Sequence, residues 1–141
     1  MQDDGASANH KARIFSQARQ DHAVETAADY VELIEELRRE TGEARGADLC
    51  RILGVSHVTV SKTLQRLARD GYVVAKPYRS VFLTEKGRKL ATASKERHRL
   101  VVQLLQKVGV SHEVAEADAE GMEHHVSSET LQAIKRFLER N

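Results

Sequence analysis

An acidic segment near the C-terminus contains Glu120, Glu123 and His124, three side chains of types that bind metal ions. Their spacing of i, i+3 and i+4 places them on one face if the segment is helical. Residues 110–129 hold six acidic residues and no Lys or Arg. Because these carboxylates would repel one another, the segment predicts a site for a cation or a basic partner.

Three further donors complete a possible ligand set. Asp29 and Glu32 have the spacing i, i+3 on the first predicted helix, and His98 lies midway along a long predicted helix. All six donors are carboxylates or imidazoles and none is a thiolate, so the set suits Mn²⁺ or Fe²⁺ better than a tetrahedral thiolate site for Zn²⁺. Each fragment alone also has an ordinary structural interpretation, as a solvated acidic face or a hydrogen-bonded histidine.

The first element that would position these donors is an amphipathic helix. From Ala27, apolar residues including Ile34 and Leu37 recur at helical spacing with charged residues between them, and Gly42 then ends the helix. Asp29 and Glu32 therefore lie on this amphipathic helix.

Two short helical patterns follow on either side of Gly54 and Ser56, which is typical of a helix-turn-helix. Gly54 allows a turn that a Cβ would resist, and Ser56 is placed to cap the second helix, which runs to about Asp70. Outward-facing polar side chains on that helix suit bases and phosphates. The predicted DNA-contacting residues are Ser56, His57, Val58, Thr59, Lys62, Gln65, Arg66 and, from the next element, Arg79.

The residues after Gly71, YVVAKPYRSVFLT, change to a strand composition with a turn around residues 77–80. A two-stranded hairpin directly after a recognition helix predicts the wing of a winged helix, with Arg79 at its tip for a phosphate or the minor groove. A helical hairpin without a DNA role is the alternative for the helix-turn-helix pattern alone, and the wing favours DNA binding over it.

Three helices are predicted after the wing: one from Thr84 to about Val108, one from Ser111 through His125, and one capped by Ser127. They exceed what a winged helix needs and predict a dimerisation domain, since paired half-sites need a symmetric protein. The fold class is therefore mainly α with a small β-wing, an N-terminal winged helix-turn-helix followed by an all-helical dimerisation domain. The expected division is a flexible N-terminal extension over 1–24, a winged-helix DNA-binding domain over 25–90, and a helical metal-binding and dimerisation domain over 91–141.

The net charge of +1 conceals an uneven distribution. Residues 45–90 carry ten Lys and Arg against three Asp and Glu, and a basic module of this kind predicts contact with phosphates. No apolar run approaches the roughly 20 residues that cross a bilayer. The single cysteine, Cys50, cannot form an internal disulfide and suggests a reducing compartment. We expect a soluble cytoplasmic protein without a membrane partner.

Three segments, ADYVELI, GVSHVTVSKTLQRLARDGYV and DAEGMEHHVSSETL, closely resemble the manganese-responsive branch of the diphtheria toxin repressor family over roughly residues 27–141. The resemblance implies a homodimeric, metal-activated repressor of manganese uptake genes that binds a palindromic DNA operator. It also implies Mn²⁺ as cofactor, with two ions per subunit and Glu32 and Glu120 among the shared or adjacent carboxylates. Asp29 stands where iron-responsive relatives usually have methionine. The metal ligands carried over by position are Asp29, Glu32, His98, Glu120, Glu123 and His124.

Other functions remain open from the residues alone. An iron- or zinc-responsive repressor of the same family would use the same donors, and a winged-helix regulator gated by an organic ligand would leave the acids solvated. An enzyme is not expected, because no activated nucleophile constellation appears. Glu120 and His124 also form a single i, i+4 pair, unlike the repeated Glu-x-x-His motifs of carboxylate-bridged metalloenzymes.

Overall fold

The computed structural model describes residues 4–76 and 79–140, which form a mainly helical fold with one two-stranded antiparallel sheet. None of the described helices is both long and apolar enough to cross a membrane. The elements in chain order are α1 (Asp4–Thr41), α2 (Gly46–Leu53), α3 (His57–Arg69), β1 (Val73–Val74), β2 (Phe82–Leu83), α4 (Glu85–Lys107), α5 (His112–Met122), a 3₁₀ turn (Glu123–His125) and α6 (Ser128–Arg140).

Helices α2 and α3 form the predicted helix-turn-helix. Gly54 ends α2 in the left-handed conformation at φ 68°, which favours a residue without a Cβ. The Ser56 side chain accepts a hydrogen bond from the backbone N–H of Thr59 at 3.2 Å and so caps α3. Both local predictions are confirmed.

The wing is also confirmed, as a very short hairpin. Strand β1 pairs with β2 in the register Val73 with Leu83 and Val74 with Phe82. Part of the predicted turn, residues 77–78, lies outside the described residues. The backbone N–H of Arg79 donates to the carbonyl of Lys76 at 3.2 Å, so the described side of the turn is hydrogen-bonded.

Two apolar clusters lie on either side of the region where the predicted ligands meet. The first joins α1, α2, α3 and the wing, and its fully buried side chains include Ile34, Leu49 and Val81. The second joins α4 and α5 around Val101 and Ala115. Helix α4 packs against α1, α5 and α6 and thereby connects the two clusters.

Helix α1 begins at Asp4, well before the start near Ala27 that the apolar pattern indicated. Most of its described side chains before Val24 are exposed. Periodicity missed this stretch because it detects burial, whereas Ala, Gln, Lys and Arg favour a helix without any apolar face. The expected extension is therefore helical over residues 4–24, and its flexibility stays a prediction.

Candidate metal centre

The six predicted ligands lie on four elements that pack together. Helix α1 carries Asp29 and Glu32, α4 carries His98, α5 carries Glu120, and the 3₁₀ turn at the end of α5 carries the other two. One donor atom from each of His98, Glu120 and Glu123 lies within 4.8 Å of the others. Residues distant in sequence thus converge on one small region between the two apolar clusters.

Glu123 is the buried centre of this region, with only 1% of its surface exposed. Its Oε2 lies 2.6 Å from Nδ1 of His98, and its Oε1 lies 3.4 Å from Nε2 of His124. Burial raises the pKa of Glu123 to about 7, although the hydrogen bond and charge of His98 act in the opposite direction. A carboxylate so far from water needs a cation or a proton, and this raised pKa reflects that need.

A second group of donors links α1 to the 3₁₀ turn. Nε2 of His124 lies 3.5 Å from Oδ1 of Asp29, and the His124 side chain is only 5% exposed. Burial raises the pKa of Asp29, a shift that the His124 charge opposes. Glu123 contacts both His98 and His124, so it belongs to both donor groups.

The pKa of Glu32 is affected by acids of both donor groups. Burial raises the pKa of Glu32, a hydrogen bond from Ser94 lowers it, and the negative charges of Glu120 and Asp29 raise it again. Repulsion among these carboxylates disfavours their ionised forms, and a bound cation would offset that repulsion. Asp29, Glu120 and Glu123 form their ion pairs with histidines, whose positive charge depends on protonation.

The prediction that one regular helix runs through His125 is wrong. Helix α5 ends at Met122 and tightens into the 3₁₀ turn. The Glu120 side chain is 69% exposed whereas Glu123 is buried, but both acids lie close to Nδ1 of His98, in agreement with their spacing on one helical face. A tightened last turn is common at helix ends, and here it directs Glu123 towards α4.

Sequence reasoning missed Glu116. Its Oε2 lies 2.7 Å from Nε2 of His98, on the side of the ring opposite the contact with Glu123. Burial lowers the pKa of His98, but the hydrogen bonds to Glu116 and Glu123 and the negative charges of these two acids together outweigh burial and raise it. The position of Glu116 one helical turn before Glu120 could have indicated that it faces the same neighbours.

The donor set fits a hard or borderline divalent ion. The atoms that converge are carboxylate oxygens and imidazole nitrogens, and the described free cysteine, Cys50, belongs to the helix-turn-helix instead. The burial of Glu123 without a Lys or Arg in its ion pairs gives the site an unmet demand for positive charge.

The predicted DNA-contacting residues lie on α3 and at the wing. A cavity of about 670 Å³ between these elements is lined by His57, Gln65 and Arg79 among others.

The other predicted DNA-contacting residues differ in exposure. Val58 is 62% exposed, Lys62 is exposed, and one terminal nitrogen of Arg66 is buried without a hydrogen-bond partner in the described structure. Ser56 and Thr59 are exposed as well, although their side chains hydrogen-bond to each other at 3.0 Å. The surface is accessible and rich in donors, as a nucleic-acid interface requires.

Comparison with known proteins agrees with this architecture. Residues 22–81 match the N-terminal DNA-binding domain of the iron dependent repressor family, and residues 84–141 match its metal-binding and dimerisation domain. The transcriptional regulator MntR of Escherichia coli O6:H1 is 53% identical over 127 residues, covering 90% of this chain and 82% of that protein. The HTH-type transcriptional regulator MntR of Bacillus subtilis strain 168 is 39% identical over 106 residues, covering 75% of each chain.

Solved structures show the same arrangement. A manganese-dependent transcriptional repressor in complex with manganese has a TM-score of 0.70 and 32% identity, with 79% of this chain covered. The manganese regulator SloR has a TM-score of 0.68 and 26% identity, with 82% of this chain covered. This chain spans only 52% and 54% of the length of those two solved chains.

Proposed function

The chain belongs to the iron dependent repressor family of metal-responsive, DNA-binding transcriptional repressors, and we propose that manganese is the ion to which it responds. The observation that carries the proposal is the buried Glu123 carboxylate, held between His98 and His124 in a cluster of oxygen and nitrogen donors. A solved relative with 32% identity is a manganese-dependent repressor. The family consists of repressors and not of enzymes, so no catalytic role is proposed.

We propose two ions per subunit, which the six candidate ligands would hold, with Glu32 and Glu120 among the shared or adjacent carboxylates. One donor group contains Asp29 and His124, and the other contains His98 and Glu120. Glu123 contacts a histidine of each group, so it would help to hold the ions that these donors bind. Glu32, one helical turn after Asp29 on α1, is proposed as the sixth donor, and the negative charges of Glu120 and Asp29 raise its pKa.

A bound divalent ion supplies the positive charge that lets these carboxylates remain ionised close together. The protein's own contribution is the placement of its donors on both sides of the junction between the two apolar clusters. Asp29 and Glu32 belong to α1, whose C-terminal part builds the DNA-binding core, whereas His98 and Glu120 belong to α4 and α5. Fastening these elements fixes the tilt of the recognition helix relative to the dimerisation domain.

The proposed partner is double-stranded DNA with a palindromic operator, bound by a homodimer in the cytoplasm. We keep the division into a winged-helix domain over 25–90 and a metal-binding and dimerisation domain over 91–141. Lys62, Arg66 and Arg79 are proposed to contact phosphates or bases, together with the exposed first turn of α3. A dimer that fixes the spacing of two recognition helices selects half-sites of matching separation. By linkage, DNA must raise metal affinity by the factor by which metal raises DNA affinity.

The test begins with the selection of duplexes from a random-sequence library by the protein in about 1 mM Mn²⁺. This concentration fills any Mn²⁺ site whose dissociation constant is well below it. Fluorescence anisotropy then measures the affinity for the selected duplex at fixed salt with Mn²⁺, Fe²⁺, Zn²⁺ or a chelator. We expect an inverted repeat and DNA binding at least about tenfold tighter with Mn²⁺ than with chelator.

The controls separate the parts of the proposal. A scrambled duplex of the same length reports binding to phosphates alone. Equal affinity with Mn²⁺ and with chelator would leave a DNA-binding protein but remove the metal sensor. Stronger activation by Zn²⁺ than by Mn²⁺, at matched occupancy of the sites, would keep the sensor and reject manganese as its ion.

A further inference from the structure

We propose that Glu116 is a positioning residue, which holds the proton of the His98 imidazole on Nε2 and aims Nδ1 at the metal cluster. The inference rests on the proposed function, since it concerns how one donor of the candidate site is presented. Glu116 was not among the residues that the sequence singled out as ligands.

The two ring nitrogens of His98 face different groups. Nδ1 lies 2.6 Å from Oε2 of Glu123 and 3.8 Å from Oε1 of Glu120, both of which are candidate ligands. Nε2 lies 2.7 Å from Oε2 of Glu116. Nδ1 is therefore the nitrogen that can donate a lone pair to an ion in the cluster, and Nε2 is directed away from it.

An imidazole that binds a metal ion through one nitrogen keeps its proton on the other. For a His98 ring bound through Nδ1, the proton would therefore be on Nε2, which lies 2.7 Å from Oε2 of Glu116. Such a contact fixes the ring orientation and makes the coordinating nitrogen a stronger donor. Without Glu116, the carboxylate of Glu123 would still lie 2.6 Å from Nδ1 and would favour the imidazole proton there. A proton on Nδ1 would prevent this nitrogen from binding a metal ion.

The second oxygen of Glu116 faces His112. This oxygen, Oε1, lies 3.8 Å from Nε2 of His112, and Nδ1 of His112 lies 3.2 Å from the side-chain nitrogen of Gln106. These contacts connect the ends of α4 and α5 around the Glu116 carboxylate. Among the described residues, only Oε2 is within hydrogen-bond distance of a partner, and that partner is His98.

The experiment compares wild type with Glu116→Ala, Glu116→Gln and a matched control, Glu113→Ala. Glu113 is an exposed acid on the same helix, so its removal changes the charge of α5 equally. Mn²⁺ affinity is measured by competition with a fluorescent chelator. We expect a loss of about 10–100-fold for Glu116→Ala. Glu116→Gln should recover most of it through its amide oxygen, and Glu113→Ala should match wild type.

A second readout follows the proton directly. In protein loaded with Zn²⁺, a diamagnetic probe, the ¹H–¹⁵N NMR signal of the His98 Nε2–H group reports its hydrogen bond. We expect a protected, downfield signal in wild type and Glu116→Gln, and its loss through exchange with water in Glu116→Ala. A general disturbance of the fold would not distinguish Gln from Ala in this way.

The outcomes separate the inference from the proposed function. A wild-type protein that binds no Mn²⁺ would remove the proposed function itself. Wild-type affinity together with a retained Nε2–H signal in Glu116→Ala would overturn the positioning role. If Glu116→Ala lost one bound Mn²⁺ and kept its affinity for the remaining ion, Glu116 would be a ligand, which contradicts the inference. Equal Mn²⁺ affinities of Glu116→Gln and Glu116→Ala, both below that of wild type, would contradict it as well.

Discussion

Nε2 of His124 lies 3.5 Å from Oδ1 of Asp29. This contact joins the 3₁₀ turn after α5 to the helix that builds the DNA-binding core. Neighbouring Glu123 contacts both His124 and His98, so a small group of side chains spans the junction between the two apolar clusters. Changes at this junction should alter metal-dependent DNA binding more than they alter stability.

Asp29→Ala should abolish the metal response while leaving the fold intact. The Asp29 side chain is 44% exposed, so its removal should change the free energy of unfolding by less than about 1 kcal/mol. DNA affinity in Mn²⁺ should fall to the value measured with chelator. Glu36→Ala, at an exposed acid on the same helix, is the matched control and should respond to Mn²⁺ like wild type. A full Mn²⁺ response in Asp29→Ala would contradict the assignment of this ligand.

Mn²⁺ affinity should rise with pH. Binding requires ionised Glu123, whose pKa burial raises to about 7, so at lower pH a proton must be displaced. For this group alone, the affinity should increase about tenfold between pH 6 and pH 8. The raised pKa of His98 adds to the increase in the same direction. Titration calorimetry in buffers of different ionisation enthalpy would count the released protons, and a count of zero at pH 6.5 would contradict this account.

The stability of the metal-free protein should fall as pH rises. Glu123 has a folded-state pKa of about 7 against an ordinary value of 4.5, so the folded state binds the proton more tightly. Its stabilising effect is complete below about pH 4.5 and is lost as pH rises through about 7. The expected loss in the free energy of unfolding is on the order of 1–3 kcal/mol. Glu123→Gln removes the titrating group and should flatten the pH dependence of the free energy measured by urea unfolding. The exposed control Glu129→Gln should keep the wild-type slope.

Lys62→Ala should weaken DNA binding through loss of a phosphate contact. Lys62 is exposed on the recognition helix, where a cation can displace counterions from DNA. We expect lower affinity across different duplex sequences and a decrease of about 1 in the slope of log affinity against log salt. Lys135→Ala, at an exposed position on α6, serves as the charge-matched control. An unchanged salt slope would place Lys62 outside the interface.

Gly87→Ala should destabilise the protein. An added Cβ would lie 2.1 Å from the carbonyl oxygen of Tyr72, a backbone atom that cannot move aside as a flexible side chain could. We expect a loss of about 1–3 kcal/mol in the free energy of unfolding. Gly121→Ala is the control, because nothing lies within 4 Å of its added Cβ, and it should gain up to about 1 kcal/mol from helix propensity. Equal stability of the two variants would contradict the close approach at Gly87.

The predictions from sequence succeeded where the information is local. Gly54 and Ser56 mark the turn and the cap of the recognition helix, and their conformations depend on neighbours only a few residues away. The strand composition on both sides of the predicted turn, which indicated the wing, has the same local origin. Residue types and spacing suggested the six ligand positions, and the resemblance to a known family matched them position by position. These ligands stay a prediction.

The tertiary structure alone decided how the donors meet. Spacing placed Glu120 and Glu123 on one helical face, and both do lie close to His98, but spacing did not show that Glu123 would be buried and Glu120 exposed. The contact between Glu116 and His98 depends on how α5 packs against α4, and that of Asp29 with His124 on how α1 lies beside the turn. Periodicity tells which side of a helix a residue occupies. It carries no information on which other helix lies against that side. The packing of the helices sets the distances between side chains, and those distances determine burial, pKa and metal binding.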